Sequence, residues 1–271
     1  IAQRSEEYKE FFTFAADTGY NVILDNGIFE KEQVNEEALI QLASEIGAKI
    51  VVAPDIIGSP ALENWERAKA FIQFAQTKLS SRTEYMFVPQ CQPGDLTGFK
   101  NVMELAILST KVQWLGICRY AVQNAFQPQL SITLPDEELL RIIFSQEFLT
   151  SRYDILNQNK TLYELCREHQ MKIHFLAMGD LPDLIQYHWY VDSMDTASPF
   201  RHAWYGSMIE ESNRYEPSIS VSRTRDYFLW DIENEPHYNV LQTCLHQSCL
   251  RLLEFAKKAE TTRDFFERRG H

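Results

Sequence analysis

Short runs rich in Val, Ile, Phe or Tyr alternate along this chain with longer stretches whose apolar residues recur at helical spacing, and that alternation constrains the fold most. The strand-like runs are 21–24, 49–53, 85–88, 112–117, 172–178, 190–193 and 219–222. Between them, 6–16 gathers Phe11, Phe12, Phe14 and Ala15 on one side, and 35–46 carries Ala38, Leu39, Leu42 and Ile46. Residues 62–79 carry Trp65, Ala68, Phe71, Ile72 and Ala75, and the pattern continues through 99–109, 136–148 and a C-terminal helix over 238–269. Such alternation predicts a parallel sheet with helices outside it, and runs such as Ile50-Val51-Val52-Ala53 suit strands covered on both faces. An eighth strand before Ile1 would close a (β/α)8 TIM-like barrel, a size that 271 residues fit. An open doubly wound sheet is the alternative. No repeat or Gly/Ser linker interrupts the chain, so 1–271 reads as a single α/β domain.

Composition narrows the class. Hydrophobic residues at 45% and charged ones at 24% exclude a disordered chain, a collagen-like fibre and a disulfide-stapled miniprotein. Acidic residues outnumber basic ones 38 to 26, a net charge of -12 that argues against broad capture of phosphate backbones. The five cysteines are scattered with no CxxC, which suits reduced thiols. No run approaches the roughly 20 apolar residues of a membrane helix, and the N-terminus has neither a signal pattern nor an initiating Met. The expectation is a soluble cytoplasmic protein whose first element precedes Ile1.

The chemistry gathers where the strands end. The first run leads into Asp25-Asn26-Gly27-Ile28-Phe29, the second into Pro54-Asp55, the third into Pro89-Gln90 and the fourth ends Leu115-Gly116-Ile117. Later come His174 to Gly179 and then Val191-Asp192-Ser193-Met194-Asp195. In a barrel all of these meet at one mouth. Two opposed carboxylates allow displacement at a sugar carbon, while a further carboxylate and an amide can read the edge of a purine.

In this order the segments resemble the tRNA-guanine transglycosylase superfamily, the queuine/archaeosine-type barrels that exchange guanine for a 7-deazaguanine base. The resemblance runs over residues 24–200 through short motifs. Asp25-Asn26-Gly27-Ile28-Phe29 looks like the family's Asp-Ser-Gly-Gly-Phe/Tyr, which implies Asp25 as general acid/base, Phe29 stacked on the base and Asn26 in the pocket. Pro54-Asp55 falls at the base-reading Asp, and Val88-Pro89-Gln90 is similar to Val-Gln-Gly-Gly, whose Gln contacts the purine. Leu115-Gly116-Ile117 resembles Gly-Gly-Leu, implying Gly116 and Ile117 beside the base, and the His-Tyr-Leu-Met-Gly likeness gives Met178 or Leu176 its other face. The last segment resembles Ile-Asp-Met-Phe-Asp and implies Asp195 as nucleophile, with Asp192 the alternative.

Glycine pairs of the family are replaced here by Gly27-Ile28, Cys91-Gln92 and Leu115-Gly116, and its zinc motif is missing. Cys244 and Cys249, five apart on a helix, point about 140° from one another, so they read as buried thiols rather than a metal site. The compact, zinc-less chain resembles the phage and bacterial relatives that place 7-deazaguanine bases in DNA. The resemblance thus implies a pentosyltransferase that exchanges guanine for a preQ0-like base in DNA through an aspartyl-glycosyl intermediate on Asp195, with tRNA as the alternative substrate. Its partner would be single-stranded or base-flipped DNA, it would need no cofactor and no membrane, and it would work in a cytoplasm that includes an infected host's. A homodimer is left open. Arg201, Arg223 and Arg225 are candidate phosphate contacts. His174 reads as a core histidine and Asp180 as a helix cap. Two other readings remain: a barrel hydrolase or lyase using the same carboxylates on a small acidic or sugar substrate, and a non-catalytic nucleic-acid-binding subunit.

Overall fold

A computed structural model describes residues 6–27, 35–126, 160–176, 191–204 and 238–267. The chain divides into two compact units, Ile1–His174 and Phe175–His271.

In the first unit, helix α1 (Glu6–Asp17) leads into strand β1 (Ile23–Leu24), α2 (Glu36–Glu45), β2 (Ile50–Val52), α3 (Ala61–Ala75) and β3 (Glu84–Phe87). Then come α4 (Leu96–Ile107), β4 (Trp114–Cys118), α5 (Arg119–Phe126), α6 (Lys160–Glu168) and the start of β5 (Lys172–Leu176). Strands β1 to β4 run parallel, with Ile23 opposite Ile50, Ile50 opposite Glu84 and Met86 opposite Trp114. Every residue of β2 and β4 is buried, as strands covered on both faces require.

The helices start and stop where local chemistry dictates. Asn35 caps α2 by accepting the Ala38 N–H at 3.1 Å, and Glu36 and Glu37 set negative charge on its first turn. Gly47 ends it in the left-handed region at φ 64°, which lets Ala48 N–H reach back to Ala43 O. Asp95 caps α4 through the Gly98 N–H at 2.9 Å. On α3 the buried residues Ala61, Asn64, Trp65, Ala68, Phe71, Ile72 and Ala75 form one stripe at helical spacing. Trp65 meets Phe87 of β3 edge to face at 5.1 Å. Truncating a wholly buried ring such as Phe71 to alanine would cost about 3–5 kcal/mol.

In the second unit the Asp195 N–H donates to Phe175 O of β5 at 3.2 Å, beside strand β6 (Ser193–Met194). Helix α7 (Ser198–Trp204) packs on α8 (Tyr238–Glu267). Among the described residues no helix is long and apolar enough to cross a membrane.

The sheet order is β1-β2-β3-β4-β5-β6. This corrects the expected closed (β/α)8 TIM-like barrel: among the described residues the sheet is an open half-barrel of six strands, and β1 and β6 do not pair. Its strictly sequential order is also not the reversing order of a doubly wound sheet. Strand–helix alternation specifies that each strand lies beside the last. Closure depends further on strand number and stagger, which alternation does not encode. The strand expected over 219–222 and the helix over 136–148 lie outside the described residues.

Candidate functional site

Three of the singled-out residues come together just past the ends of β1, β2 and β3. Asp55 is 2% exposed, Asn26 7% and Gln90 0%. The Asn26 Nδ2 donates to Asp55 Oδ1 at 2.6 Å and also to Ala53 O at 3.0 Å. The Gln90 Nε2 donates to Asp55 Oδ2 at 2.5 Å. Each oxygen of one buried carboxyl is therefore held by an amide from a neighbouring strand end. The registers explain the meeting, because parallel pairing of β1 with β2 and β2 with β3 brings the three exits side by side.

Burial pushes the Asp55 carboxyl above the usual aspartate range, against the pull of the Gln90 and Asn26 donors and the charge of Arg67 on α3. The Gln90 Oε1 is buried and has no hydrogen-bond partner. An amide oxygen in that state forgoes a bond it would make in water, at a cost of about 1–3 kcal/mol.

Sequence reasoning passed over the polar residues that follow β4. Arg119, Gln123 and Asn124 are all at least 97% buried. Asn124 donates through Nδ2 to Cys91 O at 2.8 Å, and its own carbonyl accepts the Gly94 N–H, so α5 braces the segment that carries Gln90. The signal was two residues beyond Ile117, where Arg119 follows Cys118 directly at the strand exit.

The other expected site residues are placed differently. Asp25 is exposed, and its Oδ1 accepts the Asn26 backbone N–H at 2.9 Å. Asp195 and its alternative Asp192 are exposed residues of the second unit. Gly116 and Ile117 are interior residues of β4. His174 is buried on β5, and Arg201 falls in α7. Phe29, Met178, Arg223 and Arg225 lie outside the described residues. Among the described residues no cluster of three or more His, Cys, Asp or Glu side chains is arranged to hold a metal ion. Cys244 and Cys249 of α8 are thiols pushed up by burial.

No family model matches the chain, and no curated protein matches it. Among solved structures it is similar to an HpcH/HpaI aldolase/citrate lyase family protein from Burkholderia cenocepacia J2315, at 10% identity and a TM-score of 0.37, over 70% of this chain and 84% of that one. The family resemblance read from short motifs is corrected: no family model and no curated protein matches the chain, and among the described residues the sheet is open where that family's barrel is closed. With it fall the pentosyltransferase activity, the aspartyl-glycosyl intermediate and the 7-deazaguanine and DNA-modification vocabulary. The physical reason lies in the motifs themselves. Asp, Asn and Gly at strand exits serve turns and caps in many folds, so five-residue likenesses built from them are weakly specific.

Proposed function

We propose that this chain is an enzyme that acts on a small polar substrate by proton transfer, as a hydrolase or lyase, with Asp55 as its acid–base group. One observation carries the reading: a carboxyl that is 98% buried and raised above its ordinary range sits at the carboxyl ends of parallel strands. Ligands of parallel α/β sheets bind at those ends, and burial that lifts a carboxyl toward neutrality suits it to give and take protons there. Asn26 and Gln90 are positioning residues in this reading, because their donors are turned onto Asp55. Five cysteines outside any disulfide support a cytoplasmic setting.

The test is solvent exchange. Protein in D2O is mixed in turn with small hydroxy acids, oxo acids (citrate and pyruvate among them) and simple sugars, and proton NMR follows deuterium entry or bond cleavage. The wild type should turn over at least one of these, with Asp55→Asn slower by about 100-fold or more, the usual worth of a positioned acid–base group. Equal rates in the two proteins would sink the assignment.

A further inference from the structure

The two amides that hold Asp55 are not equivalent. Asn26 Nδ2 makes two bonds, to Asp55 Oδ1 and to Ala53 O. Turning that amide over would break both and bring its oxygen against a backbone carbonyl, so Asn26 is fixed as a donor. Oδ1 can then only accept. Gln90 is different: Nε2 makes one bond, to Oδ2, and Oε1 on the same planar group is buried without a partner. An amide presents a donor and an acceptor at nearly the same radius, so half a turn exchanges one for the other. A proton arriving on Asp55 must settle on Oδ2, where it would face the Gln90 N–H as donor against donor, unless the amide turns.

We propose that Gln90 is a two-state positioning residue, donating Nε2–H to ionised Asp55 and turning its amide so that Oε1 accepts the Oδ2–H of protonated Asp55. The proposal concerns the carboxyl of the proposed function and rests on that carboxyl taking up a proton during the reaction. The step balances simply. A covalent C–H or O–H bond of the substrate breaks and leaves its electron pair on that carbon or oxygen, an O–H bond forms at Asp55 Oδ2, and Gln90 gains and loses no proton. The orphaned Oε1 of the ionised state becomes the acceptor of the protonated one. Arg67 on α3 is the charged group acting on Asp55, and as a guanidinium it keeps its charge across the pH range of the switch.

The experiment is a pH titration of the wild-type protein labelled with carbon-13 and nitrogen-15, following Asp55 Cγ, Gln90 Cδ and Gln90 Nε2 by NMR. The Gln90 signals are assigned through bonds and checked by their loss in Gln90→Met. If the amide turns, Cδ and Nε2 both shift, with a single midpoint shared with Asp55 Cγ and lying above the ordinary aspartate range. If Gln90 is a fixed donor, Nε2 alone responds while Cδ stays flat, and the proposal is overturned. The outcome is independent of turnover. Asp55→Asn that still exchanges substrate protons defeats the proposed function without touching this result, and a flat Cδ defeats this proposal without touching that function.

Discussion

Asp55 and Glu84 are carboxylates at opposite ends of neighbouring strands, the one past the exit of β2 and the other at the entry of β3. Asp55 is buried and Glu84 partly exposed, and their surroundings drive them in opposite directions. Around Asp55 stand neutral amides, and burial wins, lifting the carboxyl above its ordinary range. At Glu84 burial also pushes upward. There the Trp114 N–H at 2.5 Å, Lys172 at 3.0 Å and Lys49 at 3.8 Å outweigh it, and the group falls below the usual glutamate range. Lys172 lies over the Trp114 ring as well, 4.9 Å from its centre. The entry side of the sheet spends its charges on pairing strands β2 to β5. On the exit side neutral amides hold a buried acid, and burial outweighs the charge of Arg67. A carboxyl held in that state suits chemistry better than stability, the trade expected of functional sites.

The largest effect that separates the two ends should be on turnover. Asp55→Asn should lower it by about 100-fold, whereas Glu84→Gln should leave it within about twofold. Comparable losses in both would mean that Asp55 acts only by holding the sheet together. Folding stability reverses part of the contrast. Asn26→Ala removes the bonds to Ala53 O and Asp55 from a buried site and should cost about 2–3 kcal/mol in denaturant unfolding. Trp114→Phe removes one donor from a half-solvated Glu84 that keeps its lysines, and should cost about 1 kcal/mol.

How much of this contrast the sequence discloses depends on which physical signal carries it. Strands β2 and β4 are legible because burial on both faces leaves unbroken apolar runs, and α2 and α3 because their buried residues repeat at helical spacing. Helix α5 escapes because it begins at the residue after β4 with no turn between them. Helix α6 escapes because nine residues give its buried pair, Leu162 and Cys166, a single repeat. At the site, Asn26, Asp55 and Gln90 are legible as polar residues at strand exits. Their arrangement is not. Asp25 and Asn26 are neighbours in sequence, yet the first is exposed and the second is buried on Asp55 and Ala53 O, bonds to partners 27 and more residues away that no local pattern records. Whether the sheet closes depends on stagger summed over every strand, and no local pattern records it.

The two carboxylates should also bend the pH dependence of stability in opposite directions. Asp55 is raised in the folded state, so between its unfolded and folded values the folded protein keeps a proton that the unfolded chain has lost. Its contribution is full below the unfolded value and is lost as pH rises through the folded one. Glu84 is lowered, so its contribution is full above the unfolded value and is lost as pH falls through the folded one. Asp55→Asn should therefore flatten the decline in stability above the ordinary aspartate range, and Glu84→Gln the decline on the acid side. Urea unfolding midpoints collected across pH decide it. If the Asp55→Asn curve runs parallel to the wild type above the ordinary aspartate range, Asp55 is not raised.

Salt gives the smallest effect and the finest distinction. The Lys49 and Lys172 side chains that face Glu84 are 40% and 43% exposed, so ions reach them. At 1 M salt the screening length shrinks to about 3 Å, comparable with the ion-pair distances themselves. The stability difference between wild type and Glu84→Gln should then narrow by a few tenths of a kcal/mol, the scale of exposed pairs. Asp55 owes its state first to exclusion of water and is held by neutral amides, neither of which salt screens. The difference between wild type and Asp55→Asn should accordingly stay constant from low to high salt. Should that difference move as much as the Glu84 one, the charge of Arg67 would be governing Asp55, and the contrast between a charge-paired Glu84 and an amide-held Asp55 would fail.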